Sequence, residues 1–137
     1  MDALMGPKEP GRLRGTMPKI LLAEDDNDMR RFLVKALVNA GYEVAHFDNG
    51  RSAYQRLREE PFELLLTDIV MPEMDGIELA RRATELDPDI KVMFITGFAA
   101  VTLEAQNKKT PEDSKVLSKP FHLKDLVNEV QKMLAAA

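Results

Sequence analysis

The chain has 137 residues, Lys+Arg 19 against Asp+Glu 23 for a formal charge of −4, and no cysteine, which at about 150 residues per domain describes one domain with one core. An acidic balance supplies no basic patch for nucleic-acid phosphates, the absent cysteines exclude disulfides, thiol catalysis and thiolate metal sites, and His46 and His122 are too few for an imidazole cluster. No apolar stretch approaches the ~20 residues of a membrane span and the first residues lack the apolar centre of a secretory signal, so a soluble protein of the cytoplasm is expected.

Residues 1–16 carry three Gly and two Pro without a sustained apolar period, and are expected to be a disordered leader, either an over-called start or a cloning scar, ahead of one domain over 17–137. Short apolar runs then alternate with amphipathic segments, the mark of repeated strand–helix units around a parallel sheet. The runs are Ile20–Ala23, Tyr42–Phe47, Leu64–Leu66, Val92–Ile95 and Lys115–Ser118. Three of them, the first, third and fourth, are apolar without alternation, as strands covered on both faces should be. Met29, Phe32, Leu33, Ala36, Leu37 and Ala40 give the first helix one apolar stripe, with Gly41 as its left-handed cap. Shorter helices are expected at about 50–58 and 76–86, a loose fourth between Phe98 and Lys109, and a last one on Leu123, Leu126, Val127, Val130 and Leu134.

In such α/β sheets ligands bind beyond the carboxyl ends of the strands. Glu24-Asp25-Asp26 follows the first run, Asp68 ends the third, Thr96-Gly97 follows the fourth and Lys119-Pro120 the fifth. His46-Phe47-Asp48-Asn49 reads as helix capping, and so do Asp26 and Asp28. Glu24, Asp25 and Asp68 brought together cannot all stay ionised without a cation, and oxygen donors of this kind suit Mg²⁺ better than a calcium cage. Asp68 is an acid inside the apolar run Leu64 to Met71, where an unpaired charge is expensive, so it needs a metal, a lysine or a job. As a carboxylate nucleophile it can carry a phosphoryl group, with Lys119 and Thr96 holding the phosphoryl oxygens. A phosphatase of the haloacid-dehalogenase type needs a second acid two residues after the nucleophile, and position 70 is Val.

Glu24-Asp25, the run D-x-x-M-P-x-x-D-G from Asp68 to Gly76, Thr96, and Lys119-Pro120-Phe121 together resemble the receiver domain of two-component response regulators, over about Pro18 to Ala136. The resemblance implies a flavodoxin-like (βα)5 fold: a five-stranded parallel sheet, order 2-1-3-4-5, with five helices on both faces. It implies that Asp68 accepts phosphate from a histidine kinase or histidine phosphotransferase, that Glu24, Asp25, Asp68 and the Val70 carbonyl serve Mg²⁺, and that Lys119-Pro120 is cis. Within the receivers, Glu24 to Arg31 and the alanine-rich end resemble an alphaproteobacterial group of single-domain regulators that act as phosphorylation-controlled adaptors for the ClpXP protease. Met133 to Ala137 is then a small, uncharged tail that a AAA+ unfoldase pore could grip, and output would be by protein contact, without an enzymatic activity beyond the chain's own phosphotransfer. A receiver-like interaction module that never accepts phosphate is the alternative. Receivers commonly place an aromatic residue three before the lysine, and this chain has Val116. Signal transfer is therefore expected to lean on Thr96, on the segment around Phe98 to Val101, and on a partner surface of the fourth helix, fifth strand and last helix.

Overall fold

The computed structural model describes residues 17–97, 111 and 113–135. The expected leader, the fourth helix between Phe98 and Lys109, and Ala136-Ala137 lie outside the described residues. Five strands, β1 (Lys19–Ala23), β2 (Glu43–Phe47), β3 (Leu64–Asp68), β4 (Lys91–Thr96) and β5 (Lys115–Ser118), form one parallel sheet in the order β2-β1-β3-β4-β5. The described helices are α1 (Asn27–Asn39), α2 (Gly50–Glu59), α3 (Gly76–Leu86) and α4 (Leu123–Ala135).

Alternate residues of the central strands feed two separate cores, because successive side chains of a strand point to opposite faces. Leu21, Ala23, Leu65, Val92 and Phe94 pack with Ala53 of α2 and with Leu79, Ala80 and Ala83 of α3. Ile20, Leu22, Leu64, Leu66, Met93 and Ile95 pack with Leu33 and Leu37 of α1 and with Leu126 and Val130 of α4. Burial on both faces explains why these runs show no polar alternation; the edge strands β2 and β5 are only partly buried.

Local signals place the helix ends. Asp26, Asn49 and Asp75 cap α1, α2 and α3 by accepting from the backbone N–H of Met29, Ser52 and Glu78. Asp28, the other acid read as a cap, pairs instead with Arg31 at 2.5 Å on the exposed face. Gly41 has φ +99, the left-handed conformation in which other residues are strained. Two details depart from the sequence pattern. Phe32, counted in the α1 stripe, is 56% exposed, because Leu33 and Leu37 face the sheet and Val34 completes the contact from the other flank. Tyr42, read as the start of the second strand, lies before it, with its N–H on the Leu37 carbonyl at 3.1 Å and its ring in the α1 core. Val116 is a half-buried strand residue beside Phe94, packed on the α2–α3 side.

Candidate functional site

The register of the sheet brings the carboxyl ends of β1, β3, β4 and β5 side by side, so residues far apart in sequence meet at one edge. Glu24, directly after β1, is fully buried and its N–H reaches across to the Phe47 carbonyl at 3.0 Å. Asp25 follows as an exposed residue at the rim. Asp68 ends β3 at 7% exposure, and Thr96 ends β4 fully buried. Beyond β5, the Lys119 N–H donates to the Thr96 carbonyl at 2.7 Å, and the Lys119-Pro120 bond is cis. The five side chains singled out by the sequence thus stand at one end of the sheet.

Lys119 Nζ lies 3.0 Å from Asp68 Oδ2 and 3.1 Å from Glu24 Oε1, joining the two buried acids through one ammonium. Sequence alone assigns Lys119 to a phosphoryl group; its bonds to Asp68 and Glu24 come from the fold, which sets β1 and β3 side by side. Asp68 Oδ1 is fixed from the other side, accepting from Ile69 N–H at 2.7 Å and, more weakly, from Val70 N–H at 3.4 Å. Oδ2 therefore faces the lysine while Oδ1 is anchored in the turn, so the orientation of the carboxylate is set before any partner arrives. One oxygen from each of Glu24, Asp25 and Asp68 can be placed within 4.8 Å of the others, an all-oxygen set fit for a hard divalent cation.

One positioning residue was missed. Arg30, on the first turn of α1, donates to the Glu24 carbonyl at 2.8 Å and to Asn27 Oδ1 at 2.7 Å, strapping the acidic loop onto the helix. Its spacing from Glu24 is that of a helical surface residue, and only the fold of the loop reveals the contact. A glycine carries a second hidden constraint. Gly76 N–H donates to the Ile69 carbonyl at 2.7 Å, and a Cβ there would stand 1.9 Å from the Asp68 carbonyl oxygen.

Burial pushes the Glu24 carboxyl from its ordinary 4.5 up to about 7, and the neighbouring Asp68 charge adds to this, while the Asp26 N–H and Lys119 pull the other way. Burial would lower the Lys119 ammonium, but its bonds to Asp68 and Glu24 outweigh that and hold it above its usual value. The Glu24 shift has a definite sign in stability. Because the folded state holds the proton more tightly, the Glu24 contribution is complete below about pH 4.5 and is lost as pH rises towards about 7. In chelator, the melting temperature of the wild type relative to Glu24→Gln is expected to fall across this window; a constant difference would contradict the assignment.

A family model described as the response regulator receiver domain matches residues 20–131. Over 121 residues the chain is 78% identical to a protein of Brucella abortus (strain 2308) named response regulator receiver protein CpdR, covering 88% of this chain and 100% of that one. It is 38% identical over 119 residues to the sensor kinase CckA of the same organism, a match that spans 84% of this chain and 12% of the kinase. Among solved structures, a response regulator receiver protein from Sinorhizobium medicae WSM419 superposes with a TM-score of 0.80 at 30% identity, covering 88% of this chain and 96% of that one.

Proposed function

Because the chain belongs to the response regulator receiver domain family, we propose that Asp68 accepts a phosphoryl group from a phosphohistidine donor and that the resulting change is read by protein contact. The observation that carries this reading is the pairing of Asp68 Oδ2 with Lys119 at 3.0 Å inside the acidic cluster. In the transfer, a carboxylate oxygen of Asp68 attacks phosphorus, the new P–O bond forms as the P–N bond to imidazole breaks, and the electron pair leaves on the imidazole nitrogen. Lys119 moves from carboxylate to phosphoryl oxygen, replacing one ion pair by another, and Thr96 at the end of β4 is the hydroxyl within the site. Glu24, Asp25, Asp68 and the Val70 carbonyl are the groups that would hold Mg²⁺, which supplies charge neutralisation at the phosphoryl oxygens. The chain performs no further chemistry in this reading. Incubation with acetyl phosphate and Mg²⁺ should add the mass of one phosphoryl group, and chelator should prevent it; an unchanged mass favours an interaction module that never accepts phosphate.

The donor is proposed to be a histidine kinase or a histidine phosphotransferase; receiver domains interact with histidine kinases, and a kinase with a related segment is found in CckA. The finer reading is an adaptor for ClpXP controlled by phosphorylation. It is supported by the 78% identity to CpdR and by the resemblance carried by Glu24 to Arg31. Phosphorylated and unphosphorylated protein are expected to differ in their binding to ClpX, and Asp-Asp in place of Ala136-Ala137 is expected to lengthen the half-life of the unphosphorylated chain with ClpXP. Equal binding of both forms would remove the adaptor role, and equal half-lives would remove the tail from it.

A further inference from the structure

On the face opposite α1, helices α2 and α3 and the β3–α3 turn enclose an open groove of about 410 Å³ that the phosphoryl site does not use. Arg51, Tyr54, Gln55 and Arg58 line it from α2, Arg82 from α3, and Glu73 closes one end. The α2 residues fall at i, i+3, i+4 and i+7, a single stripe about 10.5 Å long at 1.5 Å per residue. The Arg58 and Arg82 guanidinium carbons stand 5.8 and 5.3 Å from the centre of the Tyr54 ring. Stacking on an aromatic ring orients a guanidinium while leaving its N–H edge free to fork onto a carboxylate.

The charges in this groove are not balanced. Arg82 shares Glu78 with Arg81, at 2.7 and 2.5 Å, while Arg51 meets Glu73 only at 3.7 Å. Arg58 has no carboxylate partner among the described residues, which is notable in a chain with 23 acids against 19 bases. Glu73 is itself informative. It holds φ +75, uncommon for a residue with a side chain, in a tight turn closed by Met74 N–H on the Pro72 carbonyl at 2.8 Å. The turn thus presents a carboxylate to the groove, in the position that a carboxylate from outside would take.

We propose that the α2–α3 groove is a docking site for an extended acidic segment of a partner protein, whose carboxylates bind Arg51 in place of Glu73, Arg58, unpaired among the described residues, and Arg82 beside its bond to Glu78. An open groove walled by the exposed Arg51 and Arg58 and the half-buried Arg82 does not enclose a small ligand, whereas an extended chain can lie along it. In an extended segment of polyproline type, residues three apart share one edge about 9.3 Å apart, close to the span from Arg51 to Arg58. The partner would therefore carry acids at every third position.

The test uses a fluorescein-labelled peptide with Glu at every third position between Gly and Ser, and the same peptide with Gln, at low ionic strength. The Glu peptide is expected to bind, with amide shifts centred on residues 51–58 and 82. Arg58→Glu should weaken it at least tenfold, Glu73→Gln should tighten it several-fold, and Lys35→Glu on α1 should leave it unchanged. Each variant should still accept phosphate from acetyl phosphate if the wild type does, and circular dichroism reports the fold independently of that. Absence of binding, equal binding of the Gln peptide, or indifference to Arg58→Glu would overturn the proposal. So would equally tight, Arg58-dependent binding of a single-stranded oligonucleotide of the same charge, which would make the groove a general polyanion surface.

Discussion

Asp68→Asn is expected to abolish phosphoryl acceptance, with a loss of at least about a thousandfold, on the scale seen when an enzyme loses its nucleophile. The amide is nearly isosteric, and its oxygen can still accept from the Ile69 and Val70 N–H groups that now hold Oδ1. What it lacks is the negative charge of a carboxylate, and with it a second oxygen able to attack phosphorus, since an NH2 group stands in that place. Lys119 keeps its bond to Glu24, so its half-buried ammonium is not orphaned, and removing the Asp68 charge relieves repulsion on Glu24. The amide NH2 then faces Lys119 in place of Oδ2, so one ion pair is lost while the repulsion between the acids is relieved, and the folded state should survive with native circular dichroism. Intact mass after incubation with acetyl phosphate and Mg²⁺ checks the chemistry; a phosphoryl adduct on the Asp68→Asn protein would place the acceptor elsewhere.

Gly76→Ala is expected to be strongly damaging for the addition of one methyl group, at about 3 kcal/mol, the upper part of the range for overpacking. The added carbon would stand 1.9 Å from the Asp68 carbonyl oxygen and 2.9 Å from its carbon, both backbone atoms that no rotamer change can move. Either α3 withdraws, breaking the Gly76 bond to the Ile69 carbonyl, or the end of β3 shifts and carries Asp68 with it. Both routes lower the rate of phosphorylation as well as stability. Gly97→Ala is the matched control: it sits at the end of β4, also close to the site, but nothing lies within 4 Å of its Cβ position, so an effect within about 0.5 kcal/mol is expected. Urea denaturation of the two variants separates them; equal midpoints would show that the clash at Gly76 is absorbed without strain.

These two substitutions mark where the sequence could be read and where it could not. Strand-forming apolar runs, the caps at Asp26 and Asn49, and Gly41 are local, because each depends on residues within a turn or two of it. The acids, the threonine and the lysine of the site were legible because polar residues ending buried strands need a reason to be there. By sequence Gly76 is only the start of a helix expected at about 76–86, and its contact is with the carbonyl of Asp68 on another element. The Arg30 bond to the Glu24 carbonyl and the positive φ of Glu73 are likewise set by how loops close on the sheet. Phe32 shows the converse: a residue can satisfy the helical period and still point to water, since an apolar stripe can be wider than the contact it makes.

The lysine that joins the two buried acids is 95 residues from Glu24 and 51 from Asp68. On a ribosome working at about 5–20 residues per second, Asp68 is made roughly 3–10 s before Lys119. During that interval β1 and β3 can pair, but their acids lie together without the ammonium that compensates them, and β5 has yet to close the edge of the sheet. Closure of so long a loop comes after the local helices have formed. A nascent or partly unfolded chain is therefore expected to be a poor phosphoryl acceptor even though the proposed nucleophile is already present. If Asp68 is the acceptor proposed above, a chain whose sheet has not yet closed on β5 would not be expected to carry the phosphoryl group.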